Sequence, residues 1–374
     1  MEGEYSTKKK LISICDIHSN KEGSFEEFLI AITKKLTANG YEHLIVFRDY
    51  PIRSVEEPLI EAGAKIEVIK LTRFGFYNFL LLFTNIRKHK PFLIHLHFFP
   101  TYSAINLLKY VLNTKVVCTD HMGGRKPHSN IKKLFRKYYY YFSFILFGSG
   151  ISKIICVSNF VKQKYSKDYG IQSDKLQVIY NGINMAKFQR KENIIELKEK
   201  FGLGDEYIVS CIGLRKDKGP HCLLKAAPLI VDNIENVKFL FVGSGDCKDY
   251  LYSEAKKNNL LNHCDFTGKV SDLSDIYSIS DCVVIPSLFE EAFCFVAAEA
   301  IACGSEVIAF DSGAIKEVLN NSQRVISRDY NELYKNIISL YHSESSPYEL
   351  REYIMKNFSL ETNVDTHLNL YNSL

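Results

Sequence analysis

Ser287-Leu288-Phe289-Glu290-Glu291-Ala292-Phe293-Cys294-Phe295-Val296-Ala297-Ala298-Glu299-Ala300-Ile301-Ala302-Cys303-Gly304 follows the apolar, β-branched run Cys282–Pro286. That run reads as a buried strand, and proline and serine then break it. The order is strand, loop, helix, with Glu291 in the loop and Glu299 in the first turns of the helix. A helix N-terminus presents free N–H groups and partial positive charge to an anion. The donors here are the backbone amides near Phe293, Cys294, Phe295 and Val296.

Two carboxylates first suggest acid–base hydrolysis, and the spacing argues against it. In a continuous helix the two Cα atoms would lie roughly 12 Å apart. Hydrolytic carboxyl pairs sit at about 5–9.5 Å. A different reading gives each glutamate its own neutral diol, since a carboxylate accepts two hydrogen bonds. One glutamate then holds a sugar, the other a ribose, and a diphosphate lies between them on the helix N-terminus. The competing reading is a solvated glutamate followed by a buried one paired with a lysine.

Strand-like runs recur along the chain. They are 11–17, 44–47, 65–69, 92–97, 115–119, 153–157 and 176–180, then 208–212, 237–242, 282–286 and 307–310. Helical patterns such as 25–38 and 329–341 fill most gaps. Alternating β and α implies parallel sheets with right-handed crossovers, and ligands bind beyond the carboxyl ends of such strands. The series restarts near residue 205, after the charged stretch 187–200. The expected fold class is α/β, with two Rossmann-like domains facing across a cleft. The boundaries are 1–190 for the first domain and 200–352 for the second.

Other motifs also end strands. Gly213-Leu214-Arg215-Lys216-Asp217-Lys218-Gly219 places basic side chains where a diphosphate would sit; a basic surface turn is the alternative. Gly243-Ser244-Gly245 is a Gly-x-Gly turn, and Phe266-Thr267-Gly268-Lys269-Val270 and Phe310–Glu317 are further turns. In the first half, Thr119-Asp120-His121 and the loop Asp16–Ser24, with its one glycine Gly23, follow strands. His95 and His97 form a His-x-His that reads as a packed or hydrogen-bonded pair rather than a metal site.

These motifs resemble the E-x7-E signature of retaining glycosyltransferases of family four, which have the two-domain glycosyltransferase-B fold. Pro286, Ser287, Glu291, Phe293, Glu299, Ala300, Ala302 and Gly304 fit the family pattern; Ala292 and Cys294 replace two usual glycines. Gly213 occupies the family's usual arginine position. The resemblance covers most of the chain and is strongest from about 208 to 318. It implies a sugar-transfer enzyme of bacterial-type surface polysaccharide, lipopolysaccharide or glycolipid synthesis, with a UDP- or GDP-linked sugar as donor and a glycan or lipid-linked acceptor. It implies catalytic roles for His121, Glu291 and Lys218. Donor contacts would come from Arg215, Lys218, Gly243, Gly245, Lys269, Val270, Glu291, Ala292, Phe293, Cys294, Phe295 and Glu299. Gly23 and His121 fall on the acceptor side. A C-terminal helix, 353–374, should pack back on the first domain. Front-face reaction is implied, with the leaving phosphate taking the acceptor's proton. An epimerase on the same fold and a non-catalytic partner subunit are the rival readings.

The chain of 374 residues is 46% hydrophobic, enough for two cores. No eighteen-residue apolar stretch predicts a membrane span, and the N-terminus lacks the pattern of a secretory signal. Ten cysteines without a Cys-x-x-Cys suggest buried thiols in a reducing cytoplasm. No Asp-x-Asp and no zinc-ligand spacing occur, so neither metal nor cofactor is expected. The net charge of +4 divides into +14 for residues 1–190 and −10 for 191–374. Four cations, Lys132, Lys133, Arg136 and Lys137, precede a dense aromatic run ending at Phe147. That pattern points to peripheral contact with an anionic membrane surface; the alternative is a long helix packed in the first domain. No nucleic-acid motif is present.

Overall fold

The computed structural model describes residues 9–72, 75–121, 138, 141–169, 171–343 and 348–374. The chain divides into two compact units, Met1–Gly182 with Leu360–Leu374, and Ile183–Ser359.

The first unit is built on β1 (Lys10–Cys15), β2 (Glu42–Phe47), β3 (Ala64–Val68), β4 (Leu93–His97), β5 (Lys115–Asp120), β6 (Lys153–Cys156) and β7 (Leu176–Val178). All pairings are parallel, in the order β3-β2-β1-β4-β5-β6-β7. The strands are apolar nearly throughout, as parallel strands covered on both faces must be. Helix Ser24–Ala38 buries Phe28, Leu29, Ile32 and Leu36 at helical spacing against this sheet. The order reverses between β1 and β4, so their C-terminal ends form the crevice where such sheets bind ligands.

The second unit repeats the plan with β8 (Tyr207–Ile212), β9 (Val237–Val242), β10 (Cys264–Gly268), β11 (Cys282–Ile285), β12 (Glu306–Phe310) and β13 (Val325–Ile326). Its parallel order is β10-β9-β8-β11-β12-β13, so the reversal lies between β8 and β11. The loop after β8 carries Lys218 and the loop after β11 carries Glu291. Strands β10 and β13 were not among the expected ones. β10 alternates too weakly to stand out, and β13 is two residues long.

The structure corrects the expected boundaries. Residues 183–200 belong to the second unit. Helix Ile194–Lys200 hides an apolar stripe under its charges: Ile194, Leu197 and Phe201 pack with Ile208, Leu240 and Ile276. Lys191 Nζ meets Asp272 at 3.2 Å and Lys200 Nζ meets Asp275 at 2.9 Å. The expected single C-terminal helix is two. Helix Tyr348–Phe358 stays with the second unit, where Arg351 donates to the Ala302 carbonyl at 3.0 Å. Helix Leu360–Ser373 belongs to the first, where it packs on Ser24–Ala38 and Tyr371 Oη lies 2.7 Å from His95 Nδ1. Lys132, Lys133, Arg136 and Lys137 lie outside the described residues.

Candidate active site

Glu291 is 7% exposed and sits just after β11, with its backbone bridged to Gly313. The Ala314 N–H donates to the Glu291 carbonyl at 2.9 Å. Its carboxylate receives two donors on one oxygen, Ser287 Oγ at 2.7 Å and Lys218 Nζ at 2.7 Å. Lys218 Nζ also stands 4.9 Å from the centroid of the Phe289 ring. The expected pair is therefore together, but each partner is engaged with the other. An incoming diphosphate would share Lys218 with Glu291 rather than find an unpaired cation.

The loops around this pair are locked by backbone. The Leu288 N–H donates to the Asp217 carbonyl at 2.9 Å, tying the β11 loop to the β8 loop. Gly219 has φ +73, and a Cβ there would sit 2.0 Å from the Pro286 carbonyl oxygen. Only glycine permits that approach. Cys247 N–H donates to the Leu214 carbonyl at 2.9 Å, and Gly243 N–H to the Gly268 carbonyl at 2.7 Å, so the β9 turn joins the same network.

Helix Phe295–Ala302 begins beside Glu291, with Cys294 as its N-cap. Phe293 and Cys294 are buried, and burial pushes the Cys294 thiol up to about 12. That side chain acts as a packed neutral group, not a nucleophile. Glu299 is 6% exposed in the second turn, and its Oε2 accepts from Tyr277 Oη at 2.9 Å. Burial first, then Glu299, drives the Tyr277 hydroxyl far above its ordinary value, so it remains a donor.

Arg215 does not join Glu291. Its guanidinium makes a two-pronged pair with Asp217 at 2.9 and 3.0 Å and lines a groove with Asp217, Ser244, Gly245 and Asp246. The two aspartates offset its charge there. Gly213, at the family's arginine position, has φ +88, a backbone that an arginine would adopt only under strain. Lys269 is exposed after β10, while Val270 packs with Ile208 and Ile276.

In the first unit, His121 follows β5. Its ring stacks on Phe98 at 4.5 Å, meets the Phe25 edge at 5.3 Å, and its Nε2 lies 3.1 Å from His97 Nδ1. Phe25 lies in the first turn of helix Ser24–Ala38, for which Gly23 is the N-cap. Gly23 and His121 thus converge near the ends of β1, β4 and β5. His95 contacts Thr119 Oγ1 at 2.6 Å and Tyr371. Burial holds His121 down at about 3, and His95 and His97 well below their ordinary range. These imidazoles are neutral at physiological pH.

Several site residues carried no clear sequence signal. Ser287 was visible only as part of a Pro-Ser break. Tyr277 reaches Glu299 from helix Leu273–Ile279. Arg328 ties the β11 and β12 loops together by donating to the carbonyls of Leu288 at 3.0 Å and Asp311 at 3.1 Å.

Residues 192–358 match the family model described as glycosyl transferases group 1, and residues 26–187 match that of Glycosyltransferase Family 4. An uncharacterized glycosyltransferase of Methanocaldococcus jannaschii is 33% identical over 176 residues, 45% of each chain. The UDP-Gal:alpha-D-GlcNAc-diphosphoundecaprenol alpha-1,3-galactosyltransferase of Escherichia coli is 27% identical over 219 residues, 57% of this chain and 56% of that one. The chain spans about half the length of the curated relatives it matches. Among solved structures, Anabaena HepE in complex with UDP superposes with a TM-score of 0.78 at 19% identity, covering 98% of this chain and 100% of that one. With two parallel-sheet Rossmann-like units and matched models over both of them, the chain belongs to the family four glycosyltransferases of glycosyltransferase-B fold.

Proposed function

We propose that the protein is a retaining, metal-independent glycosyltransferase that moves a sugar from a UDP-linked donor to a glycan or lipid-linked acceptor. The observation that carries this reading is the Ser287–Glu291–Lys218 constellation at the strand-order reversal of the second unit, beside the start of helix Phe295–Ala302. Glu291 accepts hydroxyls of the donor sugar. Glu299, held by Tyr277, accepts from the ribose. Lys218 and the helix amides stabilise the charge that develops on the leaving diphosphate. The bond from the anomeric carbon to the diphosphate oxygen breaks, and a bond to the acceptor oxygen forms on the same face. The acceptor's proton passes to the leaving phosphate, so no enzymic nucleophile enters. His121 is a neutral hydrogen-bonding group toward the reacting sugar. The UDP assignment leans on the fold likeness to HepE, and the lipid-linked acceptor on the name of the E. coli relative. The basic segment Lys132, Lys133, Arg136 and Lys137 would hold the protein to the cytoplasmic membrane face.

The test offers purified protein labelled UDP-sugars, with and without a polyprenyl-diphosphate-linked acceptor, in chelator. Transfer with the donor's anomeric configuration kept is the expected result. Isomerised donor without acceptor would make it an epimerase. No donor binding at all would make it a non-catalytic subunit.

A further inference from the structure

Besides the crevice at its strand-order reversal, the first unit carries an exposed apolar surface. Between Glu67 and Asp168 the chain has one acidic residue, Asp120, against 17 lysines and arginines. Within that span lies helix Gly75–Ile86, GFYNFLLLFTNI, with no charged residue. Its inward face is Asn78, Phe79, Leu82 and Ile86. A helix on the surface of a water-soluble domain turns polar residues outward. Here the outward side has Phe76 at 63%, Tyr77 at 55% and Leu80 at 45% exposure.

Phe76, Leu80 and Phe83 stand four and then three residues apart, so they form one row. The row continues to Arg87, whose guanidinium lies 5.7 Å from the Phe83 ring centroid. The neighbouring helix Leu108–Val111 exposes Tyr110 and Val111. Phe83, Arg87 and Lys90 share a shallow groove with Val111, so the two helices present one patch.

The occupant must accept apolar side chains and be anionic. A second copy of the chain would bring the same excess of cations to the same interface. A nucleic acid would leave Leu80 and Val111 without partners. An anionic bilayer surface satisfies both requirements: the headgroup boundary takes aromatic and aliphatic side chains, and lipid phosphates take Arg87 and Lys90. We propose that helix Gly75–Ile86, with the adjoining Tyr110 and Val111, docks the first unit on an anionic lipid surface. The inference deepens the lipid-linked acceptor of the proposed function but does not rest on the donor site.

Flotation of the full chain with vesicles of phosphatidylcholine, alone or mixed with phosphatidylglycerol, tests it. The protein should float with the mixed vesicles and not with the neutral ones. Arg87→Gln/Lys90→Gln should weaken partition about thirtyfold, from the strength of basic residues near anionic lipid. Phe76→Ser/Leu80→Ser should weaken it about tenfold or more. Both sites are exposed, so circular dichroism and UDP binding without vesicles should match wild type. Equal flotation of both variants and wild type overturns the proposal. So does a dimer that Phe76→Ser/Leu80→Ser turns into a monomer. Loss of turnover in wild type with flotation intact would sink the transfer reading and leave this one standing.

Discussion

The two units place their strand-order reversals alike and fill them with opposite chemistry. In the second, a charged pair, Lys218–Glu291, is set among loops stitched by backbone hydrogen bonds. In the first, neutral imidazoles and half-buried phenylalanines pack around His121, Phe98 stacked on its ring and Phe25 edge-on to it. One topology thus serves two ends. The charged crevice suits a diphosphate and a polar sugar. The other packs neutral rings, with an ion pair, Asp16–Arg48 at 3.0 Å, at the end of β1. The plan of the sheet decides where a site lies, and the side chains decide what it does.

Acid should break the comparison most strongly. His43 and His121 are held at about 3 and His367 at about 4, each by burial. Their unfolded counterparts titrate near 6.5. Below that pH the unfolded chain binds more protons than the folded one, so stability present at neutral pH is lost as pH falls from about 6.5 toward 3. The loss should approach about 2 kcal/mol per histidine at pH 5. All three lie in the first unit. Hydrogen exchange read peptide by peptide at pH 7 and pH 5 should show the first unit opening well before the second; parallel loss in both would contradict the assignment.

Gly219→Ala attacks the stitching. A Cβ 2.0 Å from the Pro286 carbonyl oxygen forces the β8 and β11 loops apart. The expected cost is about 3 kcal/mol, as for other strained close approaches, seen as a lower melting temperature of the second unit. A variant as stable as wild type would mean the loops move freely.

Glu291→Gln keeps the shape and removes the charge facing Lys218. Turnover should fall about a hundredfold, the scale for losing one preorganised electrostatic group. Steady-state rates with UDP-sugars check it, and a rise in KM with kcat unchanged would relocate Glu291 to ground-state binding.

The smallest effect belongs to Tyr277→Phe. It removes the donor to Glu299 Oε2 and should cost about 1 kcal/mol in stability. If Tyr277 also orients Glu299 for the ribose, UDP affinity by calorimetry should drop severalfold; unaltered affinity would leave the hydroxyl a packing role only.

Much of the frame was legible beforehand. β9 falls on the expected residues 237–242, and the other expected strands shift by a residue or two at their ends. Their apolar runs bounded by turn residues carry the signal without tertiary help. The E-x7-E stretch likewise announced a loop glutamate and a helix glutamate. The linker was misread because charge alone marked it. Ile194, Leu197 and Phe201 are too few to stand out in a charged stretch, and their meaning appears only with the surface that receives them.

Local sequence determined the alternation of strand and helix, the glycine turns and the position of Glu291 after a buried strand, because these follow from patterns within a few residues. Tertiary structure decided which charges meet. Lys218 and Arg215 are three residues apart, yet one pairs with Glu291 and the other with Asp217. That choice depends on β11 lying beside β8, a pairing made between strands far apart in the chain. Side-chain charges and hydroxyls have no partner until the sheet order brings one within reach.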